Sequence, residues 1–126
     1  MKLDLLYEFQ PKVKPWDEPC PSNEVVLGAL SQITENLRLG FGVSLMPPGF
    51  QHPARVAEKV ATVDVLSHGR VEWGTGRSTP MEQRSFGVPA DDRSREQWRG
   101  AVEFVVTAWE QERFSCRDDL MRPTWI

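Results

Sequence analysis

Residues 37–46 have the sequence LRLGFGVSLM, in which hydrophobicity alternates with a period of two. Every second residue from Leu37 to Leu45 is apolar, and most of the residues between them are small or apolar. Because both faces of such a strand can be covered, the pattern predicts a buried strand of a parallel sheet. Gly40 and Gly42 inside it fit a bulge or a flat ring lying against the backbone, or else tight packing against a helix.

Apolar residues at helical spacing lie on both sides of this strand. Before it, we expect Ser22 to begin a helix as an N-cap, with one buried stripe of side chains. That stripe consists of Val26, Leu30, Ile33 and Leu37. After the strand, Pro53 begins a helix that Ser67-His68-Gly69 ends, with Gly69 taking a positive φ. The apolar row of this second helix consists of Val56, Val60 and Val63, with Ala57 and Ala61 beside it.

The rest of the chain continues this alternation of strands and helices. Residues 71–75 form a short strand, residues 74–89 a long loop and residues 94–112 a third helix. We expect the buried face of the third helix to consist of Trp98, Ala101, Val102, Val105, Ala108 and Trp109. Residues 2–7 suggest a first strand, and four prolines make residues 8–21 an extended loop. This order predicts an α/β protein with a mainly parallel sheet and helices outside it.

Length and composition limit the class of protein. The chain has 126 residues, a net charge of −3 and 40% hydrophobic residues, which fits one globular domain. This balance argues against a disordered chain and against a nucleic-acid-binding protein driven by bulk charge. We find no apolar run of the roughly 20 residues that cross a bilayer, and no signal peptide at the N-terminus. We therefore expect a cytoplasmic protein.

The strongest chemical signal is VEWGTGRST, residues 71–79. Ligands of α/β proteins gather at the carboxyl ends of strands, where glycines let a ligand approach the backbone. Arg77 offers a planar set of donors to a phosphate. Because the spacing is neither a Rossmann fingerprint nor a P-loop, a phosphate site and a plain turn with a solvated arginine both stay open. Glu72 either points into a barrel lumen, with Arg38 or Arg70 as its partner, or lies at the surface.

Histidines and cysteines carry weaker signals. His52 either lines a pocket mouth or caps the following helix, and we expect His68 to be structural. Cys20 and Cys116 form no disulfide framework. These four residues lack metal-ligand spacing, so we expect no metal site.

Five short motifs follow one another along the chain. They are LRLG (37–40), HPARVAE (52–58), ATVDVLS (61–67), GR (69–70) and GTGR (74–77). Together they resemble the bacterial-luciferase-like family of flavin-dependent monooxygenases. The combined run is far more specific than any single glycine motif. From this resemblance we expect residues 22–114 to be the family-like core of a single incomplete domain. Residues 1–21 precede this core, and residues 115–126 form an irregular tail.

The resemblance implies a fold, a cofactor and a reaction. The fold is part of a luciferase-like (β/α)8 TIM barrel. The reaction uses reduced FMN, or in some relatives F420, with O2 and a small organic substrate, and a flavin reductase is the expected partner. Gly42 and Val43 match the family's non-proline cis peptide, which backs the flavin ring. Arg77 matches the arginine that holds the flavin phosphate, and Thr79 matches a loop position that contacts the cofactor.

The chain also departs from the family pattern. It has no Glu-His or His-His pair, the motif that supplies a catalytic histidine, so no catalytic residue is assigned. A full barrel takes about 250 residues, which suggests an N-terminal portion with an internal deletion and a C-terminal truncation. The alternative is a non-catalytic flavin-binding or accessory module derived from this family. Exposed strand edges of a part-barrel lead us to expect a homo- or hetero-oligomer.

Overall fold

The computed structural model describes residues 22–115, which alternate between helix and strand. The elements are α1 (Asn23–Ile33), β1 (Leu39–Leu45), α2 (Pro53–Ser67), β2 (Val71–Gly76), α3 (Pro80–Ser85) and α4 (Asp92–Glu110). The strand predicted at residues 2–7, the loop at 8–21 and the tail from 116 lie outside the described residues, and so do Cys20 and Cys116. None of the described helices is long and apolar enough to cross a membrane.

The two strands pair in parallel, with α2 as the connection between them. Leu39 lies opposite Val71, and Phe41 lies opposite Trp73. A parallel pair needs a crossover of this kind, usually a helix. The predicted α/β architecture with a parallel sheet is therefore confirmed for the described residues.

The hydrophobic core lies between one face of this sheet and the helices. Its buried residues are Leu39, Phe41, Met46, Val56, Ala57, Val60, Val63, Ala101 and Val105. The predicted valine row of α2 is thus confirmed, and so are Ala101 and Val105 of the third predicted helix, whereas the prediction that Trp109 is buried is wrong, since it is 42% exposed. α2 begins at Pro53 and ends at Ser67, followed by the cap His68 and by Gly69 with the expected positive φ, here 79°. Burial of these apolar side chains is the main force that holds the helices against the sheet.

The predicted alternation of β1 is wrong beyond Phe41. Phe41 pairs with Trp73 and Ser44 with Thr75, so three steps along β1 match two along β2. One extra residue reverses which side chains face the core. Ser44 is consequently buried, whereas Val43 is 44% exposed. The peptide bond between Gly42 and Val43 is cis, which is the conformation that the resemblance implies.

The first helix is shorter and less buried than its pattern predicts. Ser22 precedes α1, but its side chain makes no capping hydrogen bond. The chain becomes extended at Thr34, so Leu37 does not continue the helical stripe. Ile33, at the last turn, is 78% exposed. β1 accordingly begins at Leu39, two residues later than expected.

The loop predicted at 74–89 contains a helix, α3. Thr79 precedes Pro80, and its Oγ1 accepts a hydrogen bond from the backbone N–H of Glu82. This spacing is a helix-start signal, with proline at the first position, and the neighbouring glycines obscured it.

α4 begins two residues before the predicted Ser94, because the carboxylate of Asp91 accepts from the N–H of Arg93 and caps the helix.

Arg70 connects the ends of α1 and α2. Its guanidinium donates to the backbone oxygens of Ser31 and Leu37, both at 2.8 Å, and to the hydroxyl of Thr34 at 2.9 Å. Its Nε donates to the carbonyl of Ser67 at 2.7 Å. Three of these contacts satisfy carbonyls, of which those of Ser31 and Ser67 lie in the last turns of α1 and α2, and the fourth is to the Thr34 hydroxyl. Arg70 is therefore a structural residue and is not the partner of Glu72.

Candidate functional site

One face of the sheet is not covered by the described helices. Its positions are mostly glycine, and we call the set Gly40, Gly42, Gly74 and Gly76 the glycine face. Gly40 and Gly42 are exposed. A Cβ atom added at Gly40 would meet no atom within 4 Å. Tight packing against a helix therefore does not explain Gly40, and this part of the face is open and flat.

The glycines of β2 have a structural reason of their own. A Cβ at Gly74 would lie 2.5 Å from the carbonyl oxygen of Phe41, and one at Gly76 would lie 2.7 Å from Cγ2 of Val43. Real Cβ atoms essentially never approach so closely. Gly74 and Gly76 thus make room for the irregular part of β1, whatever else binds there. The same contact places Val43 against the last residue of β2, immediately before Arg77.

Arg77 follows β2 at its carboxyl end and is held by two buried side chains. Its guanidinium Nη1 donates to Oγ of Ser94 at 2.9 Å, and its carbonyl accepts from Nε2 of Gln83 at 2.7 Å. Gln83 lies on α3 and Ser94 on α4. Sequence reasoning did not single out either residue as part of a site. The sequence pattern predicts a loop at Gln83 and a helix start at Ser94.

The predicted contact residue Thr79 lies in the same loop and caps α3. Its hydroxyl is exposed and accepts from the N–H of Glu82 at 3.4 Å. Ser78 has a positive φ of 67°, and its hydroxyl hydrogen-bonds to the Glu82 carboxylate. The spacing of Thr79 and Glu82 is that of a capping box, which is the signal that could have identified Glu82. Thr79 keeps its own hydroxyl proton for a further acceptor.

An ion pair lies at the other end of this face. Nε of Arg38 is 2.5 Å from the carboxylate of Glu72, and both side chains are substantially exposed. Of the two partners expected for Glu72, the structure therefore selects Arg38. Exposed pairs of this kind contribute roughly 0–1 kcal/mol to stability. Within the described residues the pair borders the glycine face and lies apart from Arg77.

The two histidines have structural positions. Nδ1 of His52 accepts from the backbone N–H of Ala54 at 3.2 Å, which makes His52 the cap of α2. His68 occupies the left-handed turn after α2, with φ 57°. Within residues 22–115, no three His, Cys, Asp or Glu side chains lie close enough to hold a metal ion.

A shallow groove of about 350 Å³ lies between α1 and α2, on the helical side of the molecule. It is lined in part by Glu24, Val25 and Arg55.

A parallel α/β sheet with an open glycine face and an arginine at a strand's carboxyl end has the features of an α/β ligand-binding protein. The family model for luciferase-like monooxygenases matches residues 9–124. The chain therefore belongs to the luciferase-like monooxygenase family.

Solved structures and a curated relative agree with this assignment. Monooxygenase RslO1 from Streptomyces bottropensis has a TM-score of 0.71 and 28% identity, over 93% of this chain and 37% of that one. The oxygenating constituent of 3,6-diketocamphane monooxygenase from Pseudomonas putida, solved in complex with FMN, has a TM-score of 0.68. It is 20% identical over 81% of this chain and 28% of that one, a likeness of fold alone.

An F420-dependent glucose-6-phosphate dehydrogenase of Segniliparus rotundus is 28% identical over 100 residues. The match covers 76% of this chain and 29% of the relative. The chain spans about a third of the length of the curated relatives that it matches. Its fold is part of a luciferase-like TIM barrel, with a parallel sheet and helices outside.

Proposed function

We propose that this chain binds a flavin-type cofactor, with the ring on the glycine face and the phosphate at Arg77, as part of a flavin-dependent monooxygenase. One observation carries the proposal. The exposed residues Gly40, Gly42 and Val43 follow one another along β1, and Val43 contacts Gly76, the residue immediately before Arg77 at the carboxyl end of β2. The site thus offers a flat surface and a cationic group to one ligand.

The flat surface fits an aromatic ring system. Gly40 has open space above it, and Val43 exposes part of an apolar side chain beside Gly76. A side chain larger than glycine at position 40 or 42 would hold a planar ring away from the backbone. Burial of a ring against this face would also remove apolar surface from water, which favours binding. Gly42 and Val43 are the residues that we assign to the ring.

The donor set at the end of β2 fits a phosphate. A guanidinium has five N–H donors, and the contact with Ser94 uses one nitrogen of Arg77. The remaining donors suit an anion with several acceptor oxygens. Thr79 lies two residues further and can donate its hydroxyl proton to the same ligand. Arg77 and Thr79 are therefore the residues that we assign to the phosphate end.

The cofactor, when bound, supplies electrons for a reaction between O2 and a small organic substrate. The described residues contribute binding and orientation, and we assign no catalytic side chain among them. Reduced FMN is the proposed cofactor. F420 is the second candidate, since relatives of this chain bear the name of F420-dependent enzymes. The proposal includes a flavin reductase as the partner and the cytoplasm as the location.

The test is a fluorescence titration of the full chain with FMN and with riboflavin, which lacks the phosphate. We expect saturable FMN binding in the micromolar range or tighter, and we expect riboflavin to bind more weakly. Arg77→Ala should reduce the FMN affinity to that of riboflavin, because it removes the phosphate contact. An Arg77→Ala variant with the affinity of the wild type would contradict the assignment.

Turnover separates the enzyme from the non-catalytic alternative. Oxygen consumption with reduced flavin is measured with and without the chain, against the rate of free-flavin oxidation. A rate above this background that depends on an added organic substrate supports the monooxygenase. Binding without any such rate supports a flavin-binding or accessory module instead.

A further inference from the structure

We propose that Ser94 is a positioning residue that fixes the Arg77 guanidinium in the direction of the phosphate site. The inference rests on the proposed function and names a residue that the family resemblance did not assign. It goes further by predicting that discrimination between phosphorylated and unphosphorylated ligands depends on a hydroxyl that does not itself touch the ligand.

The hydrogen bonds of Ser94 give its hydroxyl a defined direction. Ser94 is 0% exposed, and its Oγ donates to the carbonyl oxygen of Asp91 at 2.8 Å. A hydroxyl has one proton, so its lone pairs are left to accept from another donor. That donor is Nη1 of Arg77, at 2.9 Å. The first turn of α4 therefore presents an acceptor at a fixed position to the arginine.

A second buried side chain holds the backbone of the same arginine. Gln83 is 2% exposed, and its Nε2 donates to the carbonyls of Arg77 at 2.7 Å and Ser78 at 3.3 Å. Gln83 thus fixes the backbone of Arg77, while Ser94 fixes its guanidinium. Two separate helices contribute these contacts, and both contacts end on one residue. Such convergence of buried polar groups on the backbone and the side chain of a single residue indicates that the orientation of this residue matters.

Orientation matters because an arginine side chain is long and carries much rotamer entropy. A free guanidinium must lose that freedom when it binds an anion, whereas one already held loses less. Its planar fork also binds two phosphate oxygens only when it faces them. Loss of the Ser94 hydroxyl should therefore weaken the binding of a phosphorylated ligand and leave the ring contacts unaffected.

The experiment compares four forms of the full chain, namely wild type, Ser94→Ala, Arg77→Ala and the double variant. Each is titrated with FMN and riboflavin at one salt concentration. Ser85→Ala is the matched control, since Ser85 is exposed on α3 and its hydroxyl bonds within the helix to Met81. Circular dichroism and thermal melting show whether each variant is folded. Ser94→Cys, whose sulfur is only a weak acceptor, replaces the alanine variant if that one does not fold.

We expect Ser94→Ala to bind FMN up to about tenfold more weakly, because an arginine that is no longer held must lose its rotamer freedom when the phosphate binds. Its riboflavin affinity should equal that of the wild type, and Ser85→Ala should match the wild type with both ligands. In the Arg77→Ala background, the Ser94 substitution should have no further effect on FMN binding, since both residues act through one contact.

Three results would overturn the inference, and they are distinguishable. Wild-type FMN affinity in Ser94→Ala, with a clear loss in Arg77→Ala, would reject the role of Ser94 and retain the proposed function. An equal loss for FMN and riboflavin in Ser94→Ala would show a general structural effect. Absence of FMN binding by the wild type would reject the proposed function and this inference together.

Discussion

Replacement of Gly74 by alanine should destabilise the fold, because β1 leaves no room for a methyl group there. The added Cβ would lie 2.5 Å from the carbonyl oxygen of Phe41, about 0.9 Å short of ordinary contact at 3.4 Å. The obstacle is backbone, so relief requires β1 and β2 to move apart. Overpacking of this kind costs typically about 1–3 kcal/mol. Alanine also lowers the entropy of the unfolded chain, which offsets roughly 0.5–1 kcal/mol. Because a backbone obstacle cannot rotate aside, the cost should be about 2–3 kcal/mol, and the net loss should be about 1–2.5 kcal/mol.

The matched control is Gly40→Ala, on the same face of the neighbouring strand. A Cβ there meets no atom within 4 Å, and we expect the free energy of unfolding to stay the same or to rise by roughly 0.5 kcal/mol. Urea unfolding of both variants, followed by tryptophan fluorescence, gives the two differences directly. Equal destabilisation by the two substitutions, or none by Gly74→Ala, would refute the packing argument.

Four further outcomes follow from the same structure. Gly40→Ala, although stable, should weaken FMN binding in a fluorescence titration because its methyl group intrudes on the ring surface. Arg70→Met removes four hydrogen bonds and should lower the free energy of unfolding in urea by about 3 kcal/mol. Met46→Ala, at a fully buried position, should cost about 2–5 kcal/mol in the same assay. Arg93 donates to the Asp91 carboxylate and holds the pKa of Asp91 below the ordinary 3.8. The ionised carboxylate therefore stabilises the fold, and this stabilisation is lost as the pH falls through the lowered pKa. Thermal melts between pH 2 and 6 should therefore show a smaller acid loss for Asp91→Asn than for the wild type.

Local sequence signals were sufficient to predict that β1, α2 and β2 form a strand–helix–strand unit. Pro53 at the first helical position, the valine row and Gly69 after the last turn each specify α2 without help from the rest of the chain. The alternation at Leu39 and Phe41 similarly specifies the first part of β1, although the same pattern places the start of the strand two residues early, at Leu37. These features depend on neighbours in the sequence, which is why a pattern reveals them.

The irregular part of β1 could not be foreseen from its hydrophobic pattern. Val43 continues the apolar alternation in the sequence, yet the pairing with β2 inserts one extra residue and turns its side chain outward. Pairing between strands is a tertiary property. The cis bond at Gly42 and Val43 was expected through the family resemblance and not through the pattern.

The candidate site was predicted in part. Arg77 and the Gly42–Val43 pair were named from the sequence, and the structure brings Val43 to the residue before Arg77. Ser94 and Gln83 were not named, because a serine at a helix start and a glutamine in a loop are ordinary in sequence. These two residues contact Arg77 only because the chain folds α3 and α4 back onto the end of β2.

The most direct test of the central claim is amide chemical-shift mapping of the isotope-labelled chain during titration with FMN. We predict that the largest shifts fall on Gly40, Gly42, Val43 and Gly76, with Arg77, and that riboflavin reproduces all of them except the shift at Arg77. Shifts confined to the groove between α1 and α2, or none at saturating FMN, would contradict a flavin site on the glycine face.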